Sequence, residues 1–392
     1  LVLICVFCAL TAVARPYSPQ RNLEEEAKWR AYFTPERDHD FDVTFYDLYL
    51  TPDPDTEILY GINEITAVST VDGLDEITLD FGTASMSVLS VTMDEIEQIF
   101  IAENDSLTIY FDLIYNQGDA FTVSIEYEGT PEAGMLFTNH DIGTVNSPLD
   151  AHYWFPCWDH PGDKADSVAF HITVPDGWDV VANGMEREVI PARSSTHYWH
   201  SKYPVATYLI GFFTSPDYQI LDLEYENDDG ETVPMPHYIF NSLYDNAVIS
   251  FENMPSMMES LVGMYGEYPF FDEKYGQVSF DMQYAGMENQ TITAINPSYI
   301  TGNHNWDVDL YSHELGHSWW GNSVGIGSWA NIWLKEGFAT YTEALYYEDI
   351  GGDIREYMFD EMYYDYLGYT PNHPIYDPPE GSLFSPVVYK KG

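Results

Sequence analysis

In Ser312–Trp320, SHELGHSWW, two histidines stand four residues apart and a glutamate directly follows the first. On a helix, residues i and i+4 share one face about a turn apart, so His313 and His317 can aim both imidazoles at one point. Glu314 sits beside that pair without joining it. Such a set can hold zinc through the histidines while the glutamate handles the proton of a metal-activated water. Zinc needs a third protein ligand and an open position for water. Glu336 can supply that ligand. It stands in the first turns of NIWLKEGFATYTEAL, with eighteen residues between it and His317, and can reach back to complete a His, His, Glu set. Glu343, two turns further on, is expected to support the site or the fold rather than bind metal. The competing reading is a chance H-E-x-x-H with Glu336 as a surface acid, which would leave three residues at metal spacing to coincidence.

These residues need helices to position them. Periodicity predicts one around Leu310–Trp320 and a second over Ile332–Tyr347, with Asn331 as its cap and Ile332, Leu334, Phe338, Tyr341 and Leu345 as apolar positions. A third is predicted over Ile354–Leu367. Upstream, Ser242–Tyr268 has helical spacing and Tyr275–Asn289, YGQVSFDMQYAGMEN, reads as β. From Phe41 to Pro236 the period is instead two. DVTFYDLYL puts Val43 and Phe45 on one face, and ILYGINEITAV does the same for Ile58, Tyr60 and Ile62. The predicted fold is therefore multidomain: an all-β N-terminal domain over 41–236, then a mixed α/β domain over 237–392. Residues 15–40 read as a polar linker.

Length agrees, since 392 residues exceed what one ordinary core supports, and 45% hydrophobic content allows two cores to pack. A formal charge of −50, from 64 Asp+Glu against 14 Lys+Arg, excludes nucleic acid as a partner because phosphate binding needs a basic footprint. The acids lie in short loop clusters such as Glu226–Glu231, ENDDGE, which read as solvated surface, and none has EF-hand spacing. Residues 1–14, ending Ala12-Val13-Ala14, read as a signal peptide too short to span a bilayer. They predict a secreted or periplasmic protein with no stable membrane anchor. Cys5 and Cys8 would leave with that leader, so Cys157 remains alone as a packing residue with no disulfide to form.

HELGH, the eighteen-residue interval and the glutamate of WLKEGFATYTE resemble the zinc aminopeptidases that include aminopeptidase N and leukotriene hydrolase, a gluzincin family. Three further stretches agree: YAGMENQT resembles the family's Gly-x-Met-Glu-Asn strand, Ala151–Gly184 its N-domain signature, and VVYKKG the segment with its catalytic tyrosine. The resemblance runs from about Asp42 to the last residue.

It implies a thermolysin-like zinc peptidase domain, incomplete at its C-terminal end, behind the β domain. His313, His317 and Glu336 would bind one zinc ion per chain, and Glu314 would be the general base. Gly286, Met287, Glu288 and Asn289 would form the substrate-binding strand, with Glu288 holding the free amine. That fixed charge would place the first peptide carbonyl at the metal and make the enzyme trim peptides from the N-terminus. Tyr389 would donate a hydrogen bond to the oxyanion. Two positions depart from the family pattern: Ala285 replaces a glycine, and Ser147 aligns where a second amine contact often stands. The expected function is zinc-dependent aminopeptidase activity on peptides with a free N-terminus. The alternatives are an endopeptidase with the same zinc set and an inactive relative that binds peptides.

Overall fold

The computed structural model describes residues 39–138, 141–146, 148–303, 308–369, 372–379 and 381–392. The expected signal peptide, Ser147 and all of the expected linker but its last two residues lie outside them. The first half is all β, as its alternating pattern predicts. An eight-stranded sheet runs in the order Met185–Ile190, Ser194–Ser201, Ser167–Pro175, Phe41–Asp53, Ile58–Ser69, Ala120–Gly129, Met86–Met93 and Ile96–Glu97. Leu48, Leu59, Ile65 and Val123 fill its inner face.

One detail of the alternation comes out differently. A bulge against Ile58–Ser69 falls between Val43 and Phe45, so Val43 points inward while Phe45 is only half-buried, and Tyr46, Leu48 and Leu50 continue the inner row. The extra residue of a bulge flips the facing of everything after it. Ile58, Tyr60 and Ile62 share a face as their spacing predicts, and it is the outer one. That face has a ladder of its own, in which His171 stacks between Tyr49 at 4.1 Å and Tyr198 at 4.7 Å. Aromatic and β-branched residues suit a pleated surface on either side, so residue type alone does not choose the inner face.

A five-stranded sheet carries the second half: Tyr218–Glu226, Thr232–Phe240, Gly276–Ser279, Ile292–Ile295 and, at the edge, Gly286–Met287. The strand Thr232–Phe240 runs unbroken through the expected domain division at 236/237. Its hairpin partner starts at Tyr218, so the second sheet begins before that division. Helices α1 (Tyr244–Ser250), α2 (Met254–Tyr265) and α3 (Val308–Gly316) pack on this sheet. Phe251, Met258, Leu261, Tyr311 and Leu315 meet Val233, Met235 and Ile239 there in a second core. Each such side chain contributes about 1.5–3 kcal/mol on burial. Helix α4 (Ile332–Asp349) lies against α3, followed by α5 (Ile354–Tyr357), a π-helical stretch Met358–Tyr363, α6 (Tyr364–Gly368) and α7 (Pro386–Lys391).

Two close contacts fix the functional elements. A Cβ at Gly316 would stand 3.0 Å from the Thr342 side chain, so glycine lets α3 and α4 approach. Between the halves, Lys164 donates to the carbonyls of Asn322 (2.6 Å) and Ser323 (3.0 Å), and Asn183 donates to that of Gln290 (2.6 Å). Lys274, fully buried, donates to the carbonyls of Ala182 (2.8 Å) and Gly184 (2.6 Å). The β half thus grips both the strand with Glu288 and the loop after His317.

His237 lies at the centre of the second sheet with no exposure, accepting the Gln277 N–H at Nδ1 over 3.2 Å. Burial lowers its pKa from 6.5 to about 3. As pH falls below 6.5 the unfolded chain takes up a proton that the folded chain refuses, so stability is lost with acid. One proton corresponds to a slope of at most about 1.4 kcal/mol per pH unit. Urea unfolding at pH 6.5 and about 5 should show a shallower acid loss in His237→Asn than in the parent, whereas equal slopes would contradict this assignment.

Candidate zinc site

Helix α3 brings His313 and His317 to one face, as the i, i+4 spacing requires. His317 stands one residue beyond the last helical position but keeps the helical bond, its N–H donating to the His313 carbonyl over 3.1 Å. The two Nε2 atoms lie 3.1 Å apart. Glu336, in the second turn of α4, faces both, with Oε2 3.4 Å from His313 Nε2 and 3.5 Å from His317 Nε2. All three side chains are buried, and their ligand atoms lie within 4.8 Å of one another.

The other ring nitrogens are occupied. His313 Nδ1 bonds Glu343 Oε1 at 2.8 Å, and His317 Nδ1 donates to the Trp320 carbonyl at 2.9 Å. With Nδ1 anchored, each ring directs Nε2 inward, the orientation a metal ligand needs. Glu343 is thus the partner of a histidine. It also accepts from the Tyr357 hydroxyl at 2.9 Å and faces Lys390 at 3.6 Å. Two imidazole nitrogens and one carboxylate oxygen, dry and convergent, fit zinc. Burial disfavours a charged His313, yet its bonds to Glu336 and Glu343 outweigh this and lift its pKa to about 10. The cluster therefore favours positive charge at the position where a divalent cation would lie.

Glu314 projects to the side of the pair. Burial, opposed by the two histidines, pushes its carboxyl up to about 7, and Oε2 has no hydrogen-bond partner. An orphaned, buried carboxylate oxygen beside a metal cluster is suited to a water or a reacting group. Gly286 lies directly against it, since a Cβ there would overlap the Glu314 carboxylate. The departure at Ala285 leaves this approach open, because the glycine that matters is the next residue. Glu288 follows on the same edge, and its carboxylate lies within 4.8 Å of ligand atoms of Glu314 and His317.

Met287 and Asn289 offer no carboxylate to this cluster. Their side chains are buried, Met287 in the large core, so contact with a substrate would come from their backbone. Asn289, 1% exposed, is also closed to glycosylation despite its N-Q-T sequence. Tyr389, on α7, stacks on the His313 ring at 5.9 Å. Burial first, then the charges of Glu336, Glu288 and Glu314, raises its phenol pKa well above the ordinary value, so it stays a donor at neutral pH.

The expected residues gather in one place. A descriptive match reinforces the geometry: residues 43–209 match the peptidase M1 N-terminal domain, and residues 250–392 match the peptidase family M1 domain. The chain belongs to peptidase family M1. A leucine aminopeptidase 2 of Aspergillus oryzae is 30% identical over 50% of this chain and 31% of its own length. That of Vanderwaltozyma polyspora is 24% identical over 83% of this chain and 50% of its own length. The chain thus spans a third to a half of these curated relatives. The M1 zinc metallopeptidase of Deinococcus radiodurans shares the fold, with a TM-score of 0.80 and 24% identity over 90% of this chain and 81% of that one. A variant of that protein has been solved with a Tyr-Ser-Ala substrate.

The M1 site also holds a residue that spacing did not single out. Lys335 is 1% exposed, and its Nζ lies 2.5 Å from Oε1 of both Glu288 and Glu336. Burial raises both carboxyl groups, but Lys335 and then His317 outweigh it, leaving Glu288 below and Glu336 well below the ordinary value. The available signal was a lysine directly before a ligand in a chain with so few cations.

Gly286→Ala tests the close approach. Its Cβ must push Glu314 aside, and a misplacement of about 1 Å at a reacting group costs roughly 100-fold in rate. Peptide cleavage should fall by about that factor with zinc content and thermal stability retained; unaltered cleavage would show that Glu314 does not need this gap.

Proposed function

We propose that this M1 chain is part of a zinc aminopeptidase that removes the first residue from peptides with a free N-terminus, with one zinc ion held by His313, His317 and Glu336. The observation that carries the reading is the position of the Glu288 carboxylate beside the His, His, Glu cluster. When bound there, zinc supplies Lewis acidity, which makes a water nucleophilic at neutral pH and polarises a carbonyl oxygen.

The protein's own groups do the rest. Glu288 pairs with the substrate's ammonium and so limits productive binding to the first peptide bond. Glu314, an anion in its reactive form, takes a proton from the attacking water and passes it to the leaving amine. Tyr389 keeps its proton and donates to the oxygen on which negative charge develops. Gly286 leaves the space through which Glu314 reaches the reacting atoms. Glu343 holds the His313 ring, and Asn322 donates to the Glu288 carbonyl at 2.9 Å, fixing the amine anchor from behind. Among the described residues no helix is long and apolar enough to cross a membrane. The leader-like residues 1–14 support export to the periplasm or medium as part of this reading.

The complete protein should cleave an aminoacyl anilide and spare its N-acetylated twin, and a zinc chelator should stop the cleavage. Glu314→Gln should keep its zinc and lose about 10²–10⁴-fold in kcat. Equal cleavage of both twins would make it an endopeptidase, and no cleavage by the zinc-loaded protein would make it a peptide-binding relative.

A further inference from the structure

Lys335 carries the same chemical group as the substrate end that Glu288 is read as binding. Its primary ammonium sits 2.5 Å from Glu288 Oε1 and lies 5.6 Å over the Tyr208 ring, which contributes a further favourable face for a cation. The Tyr208 hydroxyl is itself tied to the Gly321 carbonyl at 3.2 Å, so the ring belongs to a fixed wall. Lys335 also bonds Glu336 Oε1, while Glu336 Oε2 faces the histidines. The lysine is therefore held by two buried carboxylates and an aromatic ring, and it engages Glu288 through one oxygen.

We propose that Lys335 is a specificity-determining residue of the amine site, a built-in ammonium that occupies Oε1 of Glu288 and leaves Oε2 to the substrate. The inference rests on the aminopeptidase reading above. A carboxylate already paired with one cation attracts a second less strongly, and two ammonium groups on one carboxylate also repel each other. Lys335 thus sets how strongly a free amine is preferred over the same molecule without one. It touches no reacting atom; it acts through Glu288, and its cost in amine affinity is offset by the charge it neutralises between Glu288 and Glu336.

The test is calorimetric binding to the complete, zinc-loaded protein of two probes: L-leucine, and 4-methylpentanoate, which lacks the amine. Lys335→Gln retains a donor without charge. It should tighten leucine at least about tenfold, as expected for removal of a like charge a few ångströms away, with 4-methylpentanoate little changed. An equal or smaller preference for leucine in this variant would overturn the proposal. Lys335→Met gives the same comparison if the glutamine variant does not fold. The parent protein crystallised with leucine provides a reading free of any variant: the ligand ammonium should lie on Glu288 Oε2 with Lys335 still on Oε1. A lysine displaced from Glu288 would contradict the proposal. Glu288→Gln separates the two levels. If the parent does not distinguish the probes, or if Glu288→Gln leaves the distinction intact, the amine role of Glu288 is wrong and the inference about Lys335 falls with it.

Discussion

A buried carboxylate, Glu336, has to face two imidazoles with one oxygen and an ammonium with the other, and the rest of the catalytic half is arranged around that requirement. An isolated charge at such depth would be prohibitively costly, so cations must converge on it. Lys335 comes from the preceding position on the same helix. The histidines come from α3, which can approach because Gly316 puts no side chain between itself and Thr342. Anchored at Nδ1 by Glu343 and by the Trp320 carbonyl, the rings have little freedom to turn away.

The β half takes part in this arrangement rather than only preceding it. Lys164 caps the carbonyls of Asn322 and Ser323, and Asn322 in turn holds the backbone of Glu288. Tyr208 reaches the Gly321 carbonyl and faces Lys335. Gly321 itself has a φ of +131°, a conformation that favours glycine, where the chain turns away from His317. The His, His, Glu cluster lies in one half while its supports span both, so separating the halves would loosen Glu288 before it disturbed the histidines.

Much of this was legible in the sequence because helical spacing is a strict geometric code. His313 and His317 follow from i, i+4 arithmetic, Glu314 from its place directly after the first histidine, and Glu336 from the need for a third ligand. Glu288 and Tyr389 were different. Neither an edge strand nor a short terminal helix has a period that marks one side chain, so they entered through resemblance. The strand pattern found the sheets but missed the bulge after Val43, which shifts the inner row. Lys335 was passed over for a further reason. A lysine on a helix normally reads as solvated surface, and only the tertiary meeting of α4 with the Gly286–Met287 edge shows that it is enclosed by acids.

The proposed function stands on His313, His317 and Glu336 forming one zinc site. The most direct measurement is anomalous diffraction at the zinc absorption edge from crystals of the complete protein. A single strong peak is expected within bonding distance of the Nε2 atoms of His313 and His317 and a carboxylate oxygen of Glu336. A zinc-loaded protein whose peak lies elsewhere, or is held by Glu288 and Glu314 in place of Glu336, would contradict it.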